Sequence, residues 1–313
     1  NFYFFSFMKP IYFERAIFIS WYCSKRDCAF CYLSSKPHIK PDPVKDRRSL
    51  ASIFAEAYIC KACNWKVEFL SGGCDTYTDE ELLSIIKKVK KITKQKQWLN
   101  LGVLNENQLT KFKPYTQGVC GTVECITPEL RDKLCPSKPL KEIEDMFQTA
   151  QKLNLKKAIT IVIGLGETEK DIKLLKEFIK KHNINRLTIY RLKPQKNTVF
   201  ENTKGPTTGY YLKWIKEIRR QFPNLEIIAG SWLTHLTEIH LLINAGANAI
   251  TKFPSIRLFN TRYAKTIEEE CKKANRTLKS QLSGKVTIKS ENIDKKIKEK
   301  LKIYLKKMNS THI

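Results

Sequence analysis

The amino-acid sequence predicts a (β/α)8 barrel over residues 16–278, between an N-terminal extension (1–15) and a Lys-rich C-terminal helical extension (279–313). Strand-like and amphipathic helical segments alternate strictly, which favours parallel strands joined by right-handed crossovers. Eight strand segments fall within about 250 residues, a usual length for this barrel. No linker, repeat or low-complexity spacer interrupts them before about residue 278. Functional groups are therefore expected at the C-terminal ends of the strands.

The secondary-structure elements are predicted from apolar periodicity and from punctuating residues. The predicted strands are residues 16–22, 66–71, 98–103, 118–125, 158–164, 186–192, 225–229 and 249–253. The predicted helices are residues 49–63, 79–91, 107–113, 140–153, 170–182, 208–222 and 233–245. Thr78 and Thr168 are followed by acidic residues, which is typical of a helix start.

The C-terminal extension carries an amphipathic pattern of its own. Apolar side chains recur at helical spacing, with lysines on the opposite face, at Ile293, Ile297, Leu301, Tyr304 and Leu305. We expect a helix that caps the barrel. A helix that binds a partner or an acidic surface is the alternative.

The composition indicates a globular protein of a reducing compartment. Hydrophobic residues make up 42% of the chain, enough for a real core. No apolar run approaches the roughly 18 residues that span a bilayer, so no membrane span is expected. The apolar opening, residues 1–7, lacks a cleavage signature and is interpreted as an upstream extension or a partial record of the sequence, not as a signal peptide. Ten cysteines without a secretory signal fit metal binding better than disulfides, and the predicted location is cytoplasmic.

The strong positive charge raises the question of nucleic acid binding. The net charge is +26, but only 12 of the 57 basic residues are arginine and 45 are lysine. The lysines are spread over nearly every predicted helix, and no compact patch of arginine and aromatic residues appears. A nucleic acid partner is therefore not the favoured interpretation.

The most informative segment is AIFISWYCSKRDCAFCY, residues 16–32. It contains Cys23, Cys28 and Cys31 within nine residues. Three thiolates on one loop can hold three irons of a [4Fe–4S] cluster and leave the fourth iron open. Phe30 would lie beside whatever the open iron binds. A zinc knuckle is the alternative, and the Cys60–Cys63 pair could complete its ligand set.

The C-x4-C-x2-C spacing resembles the C-x3-C-x2-C signature of radical S-adenosylmethionine enzymes, in which an aromatic residue precedes the third cysteine. The sequence has one extra residue between the first two cysteines. Gly72 and Gly73 end the second predicted strand and resemble that family's "GGE" motif, whose backbone holds the methionine moiety of the cofactor. Cys74 replaces the usual acid.

Further segments resemble biotin synthase and related barrels. Glu124 ends the fourth predicted strand, where these proteins carry an acid that contacts the cofactor. The I-G-L-G-E-T segment, residues 163–168, is similar to the turn that flanks the adenosine and includes Gly164. Arg191 and Lys193, at the end of the sixth strand, would face an anionic substrate or the cofactor carboxylate, and a solvated surface position is the alternative for both. Residues 244–249 resemble an "AGAN" turn, so the resemblance covers roughly residues 16–275.

The resemblance implies a radical enzyme of the biotin-synthase-related family. Cys23, Cys28 and Cys31 would bind the [4Fe–4S] cluster, and S-adenosylmethionine would bind the open iron. One electron, from a donor such as ferredoxin or flavodoxin, would generate a 5′-deoxyadenosyl radical that abstracts hydrogen from an unactivated C–H bond. Sulfur insertion, by a transferase acting on a small or acyl-carrier-bound substrate, is the first choice for the reaction after hydrogen abstraction. The substrate and the catalytic residues are not identified by the motifs.

Several alternatives remain open. Lyase or rearrangement chemistry in cofactor assembly would use the same machinery. A zinc- or cluster-binding RNA-associated protein and a barrel that has lost its chemistry are the other hypotheses. Biotin synthase itself uses an auxiliary cluster held by cysteines and an arginine, and Cys74 and Cys120 are the candidate ligands for such a second cluster. The matching stretch, residues 228–231, lacks the arginine.

Overall fold

Eight parallel strands close into a barrel in the order in which they occur along the chain, so the predicted (β/α)8 fold is confirmed. The structure is a computed structural model that describes residues 10–35, 40–289 and 292–310. The strands are β1 (Tyr12–Phe18), β2 (Lys66–Ser71), β3 (Gln97–Asn100), β4 (Thr116–Glu124), β5 (Lys156–Ile163), β6 (Arg186–Arg191), β7 (Glu226–Gly230) and β8 (Ala249–Thr251).

Helices cover the outside of the barrel. They are α1 (Leu50–Ala62), α2 (Asp79–Thr93), α3 (Glu106–Phe112), α4 (Pro128–Leu134), α5 (Leu140–Lys152), α6 (Asp171–Lys181), α7 (Thr208–Gln221), α8 (Ile239–Asn244), α9 (Arg262–Lys273) and α10 (Lys295–Asn309). The N-cap of α2 is a capping box in which Thr78 and Glu81 satisfy each other's backbone N–H groups. In the described part of the chain, no helix is both long and apolar enough to cross a membrane.

The first strand begins earlier than the sequence predicts. β1 covers Tyr12–Phe18 instead of residues 16–22, and its first residues lie in the predicted extension 1–15. Tyr12 pairs with Ala249 of β8 and Phe18 pairs with Ser71 of β2. The Ile19 N–H still donates to Ser71 O of β2, whereas the Trp21 N–H donates to the carbonyl oxygen of Asp46, so the chain leaves β2 after Ile19. Barrel closure therefore uses residues that precede the apolar run.

Other differences concern helices. The predicted helix 233–245 is a 3-10 segment, Leu233–Glu238, followed by the short helix α8. His235 has non-helical backbone angles at the join. The helices α4 and α9 were not predicted, since α4 has only seven residues and α9 is dominated by charged residues.

The inside of the barrel contains a buried polar layer. The guanidinium of Arg186 lies 3.2 Å from a carboxylate oxygen of Glu14 and 2.8 Å from one of Glu226. Above it, the carboxylate of Glu68 accepts hydrogen bonds from the hydroxyls of Tyr190 and Thr251, both at 2.6 Å. Most of the charged groups inside the barrel therefore have an ion-pair or hydrogen-bond partner, as buried charges require.

The C-terminal helix packs against α1. Ile297, Leu301 and Met308 are buried, while Ile303 points outward and is 49% exposed. The hydroxyls of Tyr304 and Ser52 are 2.8 Å apart. The apolar stripe seen in the sequence is thus covered by the barrel's first helix.

Candidate active site at the barrel mouth

The C-terminal ends of the strands surround a cavity of about 360 Å³. It is lined by nine of the residues singled out in the sequence, namely Cys23, Cys28, Phe30, Cys31, Gly72, Gly73, Cys74, Glu124 and Arg191. Gly164 and Cys120 are not among its lining residues. The predicted cysteine loop and Gly-Gly turn therefore meet at one place.

The cysteine loop is fixed by backbone hydrogen bonds. The Ala29 N–H donates to Leu134 O at 2.9 Å, and the Cys31 N–H donates to Cys28 O at 3.0 Å. Arg26, between the first two cysteines, has a left-handed φ of 46° and donates to Leu33 O at 3.0 Å. This left-handed turn accommodates the longer spacing between Cys23 and Cys28.

Two of the three loop thiols contact additional cysteines. A hydrogen bond with the Cys74 thiol lowers the pKa of Cys23 to about 5. A similar hydrogen bond with Cys135 lowers the pKa of Cys28, while burial raises the pKa of Cys31. In the described residues no three metal-ligating side chains are gathered closely enough to hold an ion. To bind one shared group, the thiols of Cys23 and Cys28 would have to rotate away from Cys74 and Cys135.

Gly72 and Gly73 allow close approach of the β2 turn to the cysteine loop. A Cβ atom on Gly73 would overlap Cys23 and the carbonyl oxygen of Tyr22, and one on Gly72 would lie 3.3 Å from Ile19. Only glycine fits at position 73 without a backbone shift. The backbone of both glycines lines the cavity and is available to a polar ligand there.

Glu124 and Lys138 add charged side chains to the lining of the cavity. Glu124 has a left-handed φ of 60° at the end of β4. Burial raises its pKa, although Lys138 and Lys252 act in the opposite direction. Burial acts to lower the pKa of Lys138, but the negative charges of Cys28 and Glu124 raise it overall. Lys138 was not identified from the sequence, because no motif marks the loop between α4 and α5.

Arg191 is already partnered. Its guanidinium donates to Glu238 at 2.7 Å and lies 5.0 Å from the ring centroid of Tyr211. Gly164 has a left-handed φ of 108° in the turn after β5, where its N–H donates to the carboxylate of Glu167 at 2.8 Å. Gly164 therefore allows the backbone conformation of the turn after β5.

Of the two candidate auxiliary ligands, one lines the cavity and the other does not. Cys74 lines the cavity, whereas Cys120 is buried inside the barrel among apolar residues that include Phe69 and Trp98. Cys60 and Cys63, the pair that a zinc knuckle would use, are fully buried in the main core and do not line the cavity.

Comparison with known proteins identifies the superfamily to which the chain belongs. The model of the radical SAM superfamily matches residues 18–179, more than half of the chain. The chain belongs to the radical SAM superfamily. An uncharacterized protein of Methanocaldococcus jannaschii is 41% identical over 273 residues, which cover 87% of this chain and 75% of that protein.

Two further matches agree with this assignment. The biotin synthase of Methanococcus aeolicus is 30% identical over 182 residues, 56% of this radical SAM protein and 54% of that enzyme. The crystal structure of methylornithine synthase matches with a TM-score of 0.72 and 19% identity, over 86% of this chain and 83% of the other. At that identity the structural match shows the fold alone. The predicted relationship to the radical SAM superfamily and to biotin synthase is confirmed.

The residues present fit the cofactors that the superfamily implies, a [4Fe–4S] cluster and S-adenosylmethionine. Thiolates are the usual ligands of such clusters, and three of them come from one loop that lines one cavity. The Gly-Gly backbone and Glu124 add hydrogen-bonding groups to the same cavity, and Lys138 adds positive charge.

Proposed function

We propose that this radical SAM protein binds a [4Fe–4S] cluster through Cys23, Cys28 and Cys31 and cleaves S-adenosylmethionine reductively. The supporting observation is that the three thiols and the Gly-Gly turn line one cavity at the strand ends. Once reduced by an external donor, such a cluster would supply the electron for splitting the cofactor into methionine and a 5′-deoxyadenosyl radical, which would abstract hydrogen from an unactivated C–H bond.

The protein's own residues bind the cofactor and exclude water. Gly72 and Gly73 would present backbone groups to the methionine moiety, Glu124 would accept a hydrogen bond from the cofactor, and Phe30 would pack beside it. Apolar side chains, including Phe69 and Leu192, line the same cavity. They keep water and other hydrogen donors from the reacting atoms.

Two of the predicted cofactor contacts are assigned other roles. Arg191 is held by Glu238, so we propose that it shapes the electrostatics of the cavity and does not release its partner. Gly164 lies outside the cavity lining, and we propose that it acts through the conformation of the β5 turn, where Glu167 accepts its N–H.

The cleavage step is tested by anaerobic iron and sulfide reconstitution, followed by dithionite and S-adenosylmethionine. We expect 5′-deoxyadenosine from the wild type and its loss in Cys28→Ala. Cys271→Ala is the matched control, because Cys271 is buried in α9 outside the cavity lining. Equal product from both variants would overturn the proposed role of Cys28.

Sulfur insertion into an organic substrate remains the first candidate for the later step. The similarity to biotin synthase supports it. Cys120 does not line the cavity that Cys74 lines, which favours the alternative, a lyase or rearrangement reaction with a single cluster.

The iron content separates these two hypotheses. Sulfur donation from a second cluster predicts about eight irons per reconstituted chain, reduced by half in Cys120→Ala, whereas a single-cluster reaction predicts about four irons in both proteins.

We also propose an acidic electron donor of the ferredoxin or flavodoxin type and a cytoplasmic location. The net charge of +26 is complementary to a negatively charged donor. All ten cysteines are free thiols, which suits a reducing compartment.

A further inference from the structure

A second cavity, of about 530 Å³, continues from the first at the ends of β6, β7 and β8. The two cavities share lining residues on their common side, namely Arg191, Leu192, Lys193, Trp232 and Lys252. The second cavity then extends to His235, Pro254 and Arg257. A ligand could therefore reach from one cavity into the other.

The second cavity is cationic. Lys193, Lys252 and Arg257 line it, and no carboxylate does so among the described residues. Within the described ranges none of the three cations has an ion pair, in contrast to Arg191, which is bound by Glu238. Lys193 lies over the ring of Trp232, with its Nζ 5.2 Å from the ring centroid.

Lys252 is held at the boundary between the cavities. It follows β8 with a left-handed φ of 72°, which is unusual for lysine, and its Nζ lies 4.1 Å from the ring centroid of Tyr190. A Cβ atom on Gly230 would lie 2.7 Å from the Tyr190 ring and 3.3 Å from Lys252 Cγ. The glycine at 230 therefore leaves room for both side chains.

We propose that the second cavity binds the anionic group of the substrate, a carboxylate or a phosphate. This inference rests on the proposed function. Lys193, Lys252 and Arg257 would bind the anion, and the reacting carbon would extend into the first cavity. The carboxylate of S-adenosylmethionine is expected on the open iron, so it does not need these cations. Unpaired cations in a concave site are suited to such an anion because they form charge-assisted hydrogen bonds with it.

The proposal is tested by calorimetric titration of the anaerobically reconstituted protein with inorganic phosphate and, separately, with succinate, at constant ionic strength. We expect at least one probe to bind with a saturable isotherm. Lys252→Gln and Arg257→Gln should each weaken that binding by about tenfold, as expected for loss of a hydrogen bond to a charged group. Lys196→Gln is the matched control, since Lys196 is exposed nearby and lines neither cavity.

Each outcome decides the proposal. Tighter binding of phosphate supports a phosphorylated substrate, and tighter binding of succinate supports a carboxylic acid. Absence of saturable binding, or an equal loss in Lys196→Gln, overturns the anion site. Formation of 5′-deoxyadenosine is measured on the same preparation. Its absence contradicts the proposed function without affecting the anion test, because probe binding does not require cofactor cleavage.

Discussion

A Cβ atom on Gly73 would lie 2.6 Å from the Cα atom of Cys23, so the turn after β2 and the first cysteine of the loop are in direct backbone contact. The Ser24 N–H strengthens this contact by donating to Cys74 O at 3.3 Å. The position of Cys23 therefore depends on the absence of a side chain at residue 73.

Replacing Gly73 by alanine should displace the cysteine loop. We expect Gly73→Ala to lose most of its reconstituted iron and to lower the free energy of unfolding by about 1–3 kcal/mol, as overpacking does. Gly209→Ala is the control, because a Cβ on Gly209 meets nothing within 4 Å at the start of α7. Iron analysis and denaturant unfolding of both variants check this, and normal iron content in Gly73→Ala would contradict it.

The paired thiols predict a specific oxidation of the metal-free protein. Since Cys23 contacts Cys74 and Cys28 contacts Cys135, air should form these two disulfides first. The Cys60 and Cys63 thiols serve as the internal control, because burial raises the pKa of both, so they form little thiolate and should stay reduced. Differential alkylation with peptide mass mapping identifies the pairs. Early oxidation of Cys60 or Cys63 would count against the structure of the loop.

The buried Glu14 predicts a pH dependence of stability. Burial raises its pKa from 4.5 to about 7, even though Arg186 acts to lower it. The folded state therefore binds more protons than the unfolded state between about pH 4.5 and 7. The contribution of Glu14 to the free energy of unfolding consequently decreases as the pH rises through that window.

The variant Glu14→Gln should remove this contribution. We expect the free energy of unfolding of the variant, minus that of the wild type, to increase by on the order of 2 kcal/mol from pH 5 to pH 8. Glu106→Gln, at an exposed position of α3, is the control. Denaturant unfolding at several pH values measures the difference, and parallel curves for wild type and Glu14→Gln would refute the prediction.

The packing of α10 on α1 predicts that the C-terminal helix contributes to stability. Leu301→Ala should lower the free energy of unfolding by about 2–4 kcal/mol, because it leaves a cavity in a buried contact. The nearby Ile303→Ala, on the outward face, should change it by less than about 0.5 kcal/mol. Denaturant unfolding compares the two, and equal small effects would mean that α10 does not pack as described.

Much of the fold was predictable because apolar strand runs and helix caps are local signals. The boundary of β1 was missed because Glu14 and Arg15 interrupt the apolar pattern, although Glu14 points into the barrel's polar layer. A charged residue within a strand, such as Glu68 in β2, is a usable signal for such a layer.

The cysteine loop and the Gly-Gly turn were predictable because each follows a strand, and parallel strands end at the same face. Cys135 and Lys138 were missed, since the short α4 and its following loop bring them to the cavity without a motif. Lys252 was missed because a left-handed lysine after β8 has no sequence signal.

The most direct test of the cluster site is Mössbauer spectroscopy of protein reconstituted with ⁵⁷Fe, recorded before and after addition of S-adenosylmethionine. Three protein thiolates and one open iron predict that about a quarter of the iron signal changes when the cofactor binds, while the rest stays as it was. A spectrum that the cofactor leaves unchanged, or a protein that binds zinc in place of iron, would contradict the account.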